Sequence, residues 1–158
     1  MIPARHVAQI NVARFRAAKD NPANADFMAA LDHVNAMAEA SDGFIWRLIG
    51  DGNDATDVEA IPGDPDFIVN MSVWRDVDAL EQFAYRQADH RQVLARRKEW
   101  FDPIEPSFAL WWIEPGHVPT VAEGLARLAQ LGGEGPGDAV FTFRHWRECL
   151  RPAQAAGA

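Results

Sequence analysis

Residues 67–101, FIVNMSVWRDVDALEQFAYRQADHRQVLARRKEWF, decide the fold. The first eight are almost continuously apolar and rich in β-formers, which predicts a strand ending at Trp74. Ile68, Asn70, Ser72 and Trp74 fall on one face of it, and Phe67, Val69, Met71 and Val73 on the other. The period then changes. Asp76 can cap a helix, with Asp78 and Glu81 in its first turn, where the helix dipole favours carboxylates. Leu80, Phe83, Gln87, His90, Leu94, Arg97 and Phe101 then recur at helical spacing, which predicts one long helix with a mostly apolar face. His90 and Arg97 lie on that face. An unpaired buried charge is too costly, so they either pair internally or look into a pocket.

Working outward, residues 6–13 alternate: Ala8, Ile10 and Val12 against Val7, Gln9 and Asn11, a first strand with one apolar and one mixed face. Residues 26–40 read as a helix whose stripe is Met28, Leu31, Asn35 and Ala38. Asn35 there is either bonded internally or a polar group of a pocket. Ser41-Asp42-Gly43 ends it. FIWRLI at 44–49 reads as a second strand, with Phe44, Trp46 and Leu48 on one side and Ile45, Arg47 and Ile49 on the other. Arg47 can clamp a carboxylate or an oxyanion, or pair with a structural carboxylate. Residues 50–66 read as a solvated acidic connection. Their run DGNDATD fails as a calcium loop, because Ala55 and Thr56 replace a ligand and the turn glycine. FALWWI at 108–113 is a further strand. Thr120 and Glu123 form a capping-box pattern at the head of a third helix ending at Gly132-Gly133. Residues 139–143 read as a short last strand.

The order β-α-β-β-α-β followed by α-β predicts an α+β, ferredoxin-like antiparallel sheet with helices on one face. The face bearing Gln9, Asn11, Asn70 and Ser72 is expected to meet water or another subunit. The pattern predicts a single domain over 1–146 and a frayed tail over 147–158. A register shift of one residue would exchange Asn70 and Ser72 for Met71 and Val73, so the face that lines a pocket stays open.

The chain has 158 residues and a net charge of −8, which argues against general nucleic-acid binding. It has one cysteine, Cys149, and neither an apolar leader nor a membrane-spanning run is expected, so the predicted location is the cytoplasm. The five histidines show no i, i+4 pair and there is no CxxC, so no metal is expected. None of the serines sits in a G-x-S-x-G elbow.

Asn11, the NA-x-A stretch at 35–38, GFIWR at 43–47, the run from Ser72 to Phe101, WWIEPGHVPTVAEGL and GPGDAVFTF together resemble the bacterial family known as domain of unknown function 3291. That family is in turn similar to the dimeric α/β-barrel superfamily of antibiotic-biosynthesis monooxygenases, haem-degrading monooxygenases and small polyketide cyclases. The resemblance implies ferredoxin-like sheets paired in a homodimeric barrel. The haem-degrading branch uses a strand-one asparagine, a helix tryptophan and a histidine ten residues on. Asn11 matches the first, but the other two positions carry Phe83 and Val93, so haem binding is the less favoured expectation.

The functional expectation is a small-molecule-binding protein, a cofactor-free enzyme of monooxygenase, cyclase or isomerase type acting on an apolar or aromatic compound by acid–base chemistry. His90 is the acid or base, unless it pairs with Asp89 or the backbone. Arg47 or Arg97 would stabilise a developing oxyanion, and Tyr85 would donate. Trp46, Trp74, Trp100 and Trp112 would stack a flat substrate, with Asn11, Asn35 and His117 as binding groups. The alternative is a non-catalytic dimer that binds a ligand or partner.

Overall fold

In the computed structural model the described residues are 5–86 and 88–152, and of 86 and 88–90 the backbone alone is described. Strand β1 (His6–Phe15) is the centre of one antiparallel sheet. On one side it pairs with β3 (Phe67–Trp74), which pairs with β2 (Phe44–Arg47). On the other side it pairs with the short β4 (Phe101–Asp102) and with β5 (Phe108–Ile113). The helices are α1 (Ala25–Glu39), α2 (Val77–Arg86), α3 (Ala88–Ala95), α4 (Arg97–Trp100), α5 (Val121–Glu134) and α6 (Phe143–His145). This is the expected ferredoxin-like α+β arrangement. None of the described helices is long and apolar enough to cross a membrane.

The register Asn11↔Asn70, Gln9↔Ser72 and Val7↔Trp74 puts the polar strand residues on one face. Although Asn11 on it is exposed, that face is not left bare for water or another subunit, as the alternation suggested. It looks towards α1, α2 and α3, with Trp74 packed on Val77, Leu80 and Phe83. The opposite, wholly apolar face carries Ala8, Ile10, Met71, Val73, Ala109 and Trp111 and is covered by Leu128 and Leu131 of α5. Period-2 alternation says which residues share a face, not which face takes the helices. Here α5 supplies a second cover, so the more apolar face is the better filled. The approach is close at Gly124, where an added Cβ would lie 2.8 Å from Ile10 Cδ1 and 3.1 Å from Met71 Cε.

Four segments depart from the sequence reading. The single helix expected over 76–101 is interrupted at Arg96, where α4 begins; Gln87, between α2 and α3, lies outside the described residues. Asp76 does cap α2, accepting from the N–H of Ala79 at 2.8 Å. At Arg96 φ is −98° and ψ 3°. Its N–H bonds the Val93 carbonyl three residues back, and the turn carries Trp100 into a cluster with Phe15 and Phe27. The last strand is reduced to one bridge, Leu110 to Phe141, because Thr142 immediately caps α6 through the N–H of His145. The chain then continues through a π-helical turn, Trp146–Leu150, and Arg147 reaches Glu81 at 2.6 Å. The tail expected from 147 therefore begins as a packed turn. The 50–66 connection is not simply solvated either: Ala55 is buried, and Val58 and Ala60 pack on the core.

Candidate ligand pocket

A cavity of about 490 Å³ lies between the polar sheet face and helices α1 to α3. Its floor is a hydrogen-bonded set of strand side chains. Gln9, 4% exposed, donates from Nε2 to Asn70 Oδ1 at 2.7 Å and to Ser72 Oγ at 2.8 Å. Its Oε1 accepts from Asn11 Nδ2 at 3.0 Å, and Asn11 Nδ2 also reaches Asn70 Oδ1 at 3.1 Å. Trp74 Nε1 donates to Ser72 Oγ at 2.9 Å. The pattern fixes what is left over. Ser72 Oγ accepts twice, so its own proton remains to be donated. Asn70 Oδ1 also accepts twice, and its amide donors take no partner among the described residues. Asn11 Oδ1 is a spare acceptor there too. The floor thus turns unused donors and one acceptor towards the cavity.

The walls are apolar. Phe27, Leu31, Val34 and Ala38 of α1 face Leu80 and Phe83 of α2 and Val93 and Leu94 of α3. Phe83 stacks on Trp74 with ring centroids 5.4 Å apart. Phe83 and Val93 are the positions where the haem-degrading branch would carry a tryptophan and a histidine. Phe143 of α6 closes one side, stacked on Phe108 at 5.1 Å and edge-on to Tyr85 at 5.3 Å.

Of the residues singled out in the sequence, Asn11, Asn35, Arg47, Trp74, Tyr85 and Arg97 line this cavity. Asn35 makes no side-chain hydrogen bond among the described residues, which fits the pocket alternative rather than the internally bonded one. Arg47 follows its structural alternative: Nε donates to Glu39 Oε1 at 2.7 Å and Nη2 to Asn53 Oδ1 at 3.3 Å. Four expected residues lie elsewhere. Trp46 is on the opposite face, because a bulge between Phe44 and Trp46 leaves Phe44 and Arg47 facing the cavity. Trp100 is buried beside it with Phe27, under the Arg96 guanidinium. Trp112 packs on Phe141 and Trp146. His117 stands on the far side, bonded to Glu123 at 2.7 Å. The side chain of His90 lies outside the described residues, as does Gln87.

Gln9, Asn70 and Ser72 are the pocket residues that the sequence displayed without revealing. Their signal is a polar row on one face of two strands that lie side by side. Asp54, Ala55 and Thr56 also line the cavity, and no periodicity pointed to them. Asp54 Oδ1 accepts from the N–H of Thr56 at 2.8 Å and its hydroxyl at 2.6 Å.

On the other face, Glu123 follows only half of the capping-box pattern. Its N–H bonds Thr120 Oγ1, while its carboxylate takes Trp111 Nε1 at 2.9 Å and His117. Burial pushes this carboxyl up, but the bonds from His117, Trp111 and Thr120 outweigh it and hold the group below the usual glutamate range. Among the described residues no group of three or more His, Cys, Asp or Glu side chains is placed to hold a metal ion.

Solved structures similar to this chain include SnoaB from Streptomyces nogalater, described as a cofactor-independent oxygenase. It is 15% identical with a TM-score of 0.50, over 74% of this chain and 100% of SnoaB. Rv0793 from Mycobacterium tuberculosis is 17% identical with a TM-score of 0.49, over 73% of this chain and 99% of its own. A candidate antibiotic biosynthesis monooxygenase from Chloroflexus aurantiacus J-10-fl is 14% identical with a TM-score of 0.45, over 73% and 98%. At such identities the likeness is one of fold. No curated protein matches the chain in sequence. The model of the family described as domain of unknown function (DUF3291) matches residues 6–154, and the chain belongs to that family.

Proposed function

We propose that the protein binds a small, flat, largely apolar molecule in the cavity and acts on it as a cofactor-free enzyme of oxygenase or cyclase type. One observation carries this: an apolar-walled cavity of about 490 Å³ whose floor keeps unused amide and hydroxyl donors. That volume suits a molecule of two or three fused rings. Donors fixed before the substrate arrives favour charge that develops on an oxygen laid against them. A ring carbonyl on the Ser72 hydroxyl and the Asn70 amide would make its neighbouring C–H more acidic. His90 is the proposed proton acceptor, in α3 three and four residues before Val93 and Leu94. The resulting enolate could react with dioxygen, turning CH₂ into C=O with loss of one water. It could instead attack a carbonyl of the same molecule and close a ring. The fold shared with a cofactor-independent oxygenase is in keeping with the first outcome. The assembly is proposed to be a homodimer, as the likeness to dimeric barrels implies.

A non-catalytic binder is the second reading, and one observation favours it. Among the described lining residues Asp54 is the only carboxylate, and its Oδ1 already accepts two bonds from Thr56. Oxygen uptake with anthrone, a flat carbon acid, separates the two. The enzyme reading expects one O₂ consumed per anthrone and a loss of about 10²-fold or more in His90→Ala, the scale of a positioned base. Anthrone that binds but oxidises at its spontaneous rate would leave the binder. Anthrone that does not bind would contradict both.

A further inference from the structure

Resting on this reading of the cavity, a further property concerns the charge of its ligand. Two arginines line the cavity, and they differ. Arg47 is 7% exposed and committed to Glu39 and Asn53. Arg97 opens α4, one turn after Val93 and Leu94, and is exposed. Among the described residues it has no carboxylate within ion-pair distance. Its neighbour Arg96 takes the acids nearby, Asp26 at 3.0 Å and Glu99 at 2.9 Å. Of the two arginines on the cavity, Arg97 alone is without an acid partner among the described residues.

The charges also divide along the sheet. Arg47, Asn53 and Asp54 belong to β2 and the loop after it, at one sheet edge, with Glu39 at the end of α1 beside them. Arg97 opens the short α4 that leads into β4, on the other side of β1. An anion near Asp54 would be repelled, whereas one near Arg97 would meet a guanidinium with no acid partner among the described residues, whose fork fits a carboxylate bidentately. We propose that the ligand is a flat aromatic carboxylate, its acid group on Arg97 and its carbonyl or hydroxyl edge on Asn70 and Ser72. Arg97 is then the residue that selects acids over neutral ring systems of the same shape.

The test is calorimetric titration of the intact protein with anthracene-2-carboxylate and with its neutral carboxamide, in wild type and Arg97→Gln. The wild type is expected to bind the carboxylate about tenfold or more tightly, the scale of a charge-assisted pair at a partly open site. Arg97→Gln is expected to bring the two affinities within about twofold, and Arg97→Lys to restore part of the preference. A thermal melt checks that each variant is folded. Equal affinities in the wild type, or a preference that survives in Arg97→Gln, would overturn the role of Arg97 and leave the cavity reading standing. Binding of neither probe would overturn the cavity reading and the acid preference with it.

Discussion

At the residue scale, the molecule turns on Gln9. It is nearly inaccessible, yet it holds together Asn11, Asn70 and Ser72, and through Ser72 the indole of Trp74. A buried amide is tolerated only when bonded, and removing it strands its partners. Gln9→Leu is therefore expected to cost about 1–3 kcal/mol despite its apolar side chain, measured by urea unfolding. An unchanged midpoint would mean that the network is not formed. The sequence shows Gln9, Asn11, Asn70 and Ser72 in the right alternation, and the cross-strand register follows once β1 and β3 pair. It hides which side of the sheet they serve. Trp46 shows why such detail escapes a reading by alternation: one bulge beside it moves Arg47 to the face of Phe44 and sends the tryptophan to the other.

At the element scale, α5 distinguishes this sheet from one with helices on a single face. It lies on the apolar face, tied at its first turn by Glu123 to Trp111 and His117. Because the folded carboxyl sits below the usual glutamate value of 4.5, its stabilisation is complete above that value and is lost as pH falls through the folded one. Wild type is expected to lose stability below about pH 4.5 more steeply than Glu123→Gln, as followed by chemical unfolding across that range. Parallel curves would contradict the role given to Glu123. Gly124 sets the spacing of α5. Ile10 and Met71 beneath it are fully buried, so Gly124→Leu is expected to cost about 1–3 kcal/mol by overpacking, despite the better helix propensity. Strand β5 and helix α1 are legible from periodicity, as is the Asp76 cap. The break at Arg96 is not, because it follows from the burial of Trp100 against β1 and α1, a tertiary demand that overrides local pattern.

At the scale of the whole molecule, one chain builds the cavity from its own sheet and helices. The proposed homodimer is thus a separate matter from ligand binding. Sedimentation equilibrium is expected to give twice 17.5 kDa. A species at the single-chain mass would remove the dimer and leave the cavity untouched. The apolar face that a paired-barrel arrangement would leave to a second subunit is already covered here by α5, so the second copy would have to pack around that helix.

The most direct test of the cavity uses the tryptophans as reporters in a ¹H–¹⁵N spectrum during titration with anthracene-2-carboxylate. Trp74 sits on the cavity floor, while Trp111 lies on the opposite face against Glu123. The Trp74 indole N–H and the side-chain amides of Asn11 and Asn70 are expected to shift with one binding curve while the Trp111 indole stays in place. Shifts at Trp111 with Trp74 unmoved would contradict the assignment of the ligand site to the face of Gln9, Asn70 and Ser72.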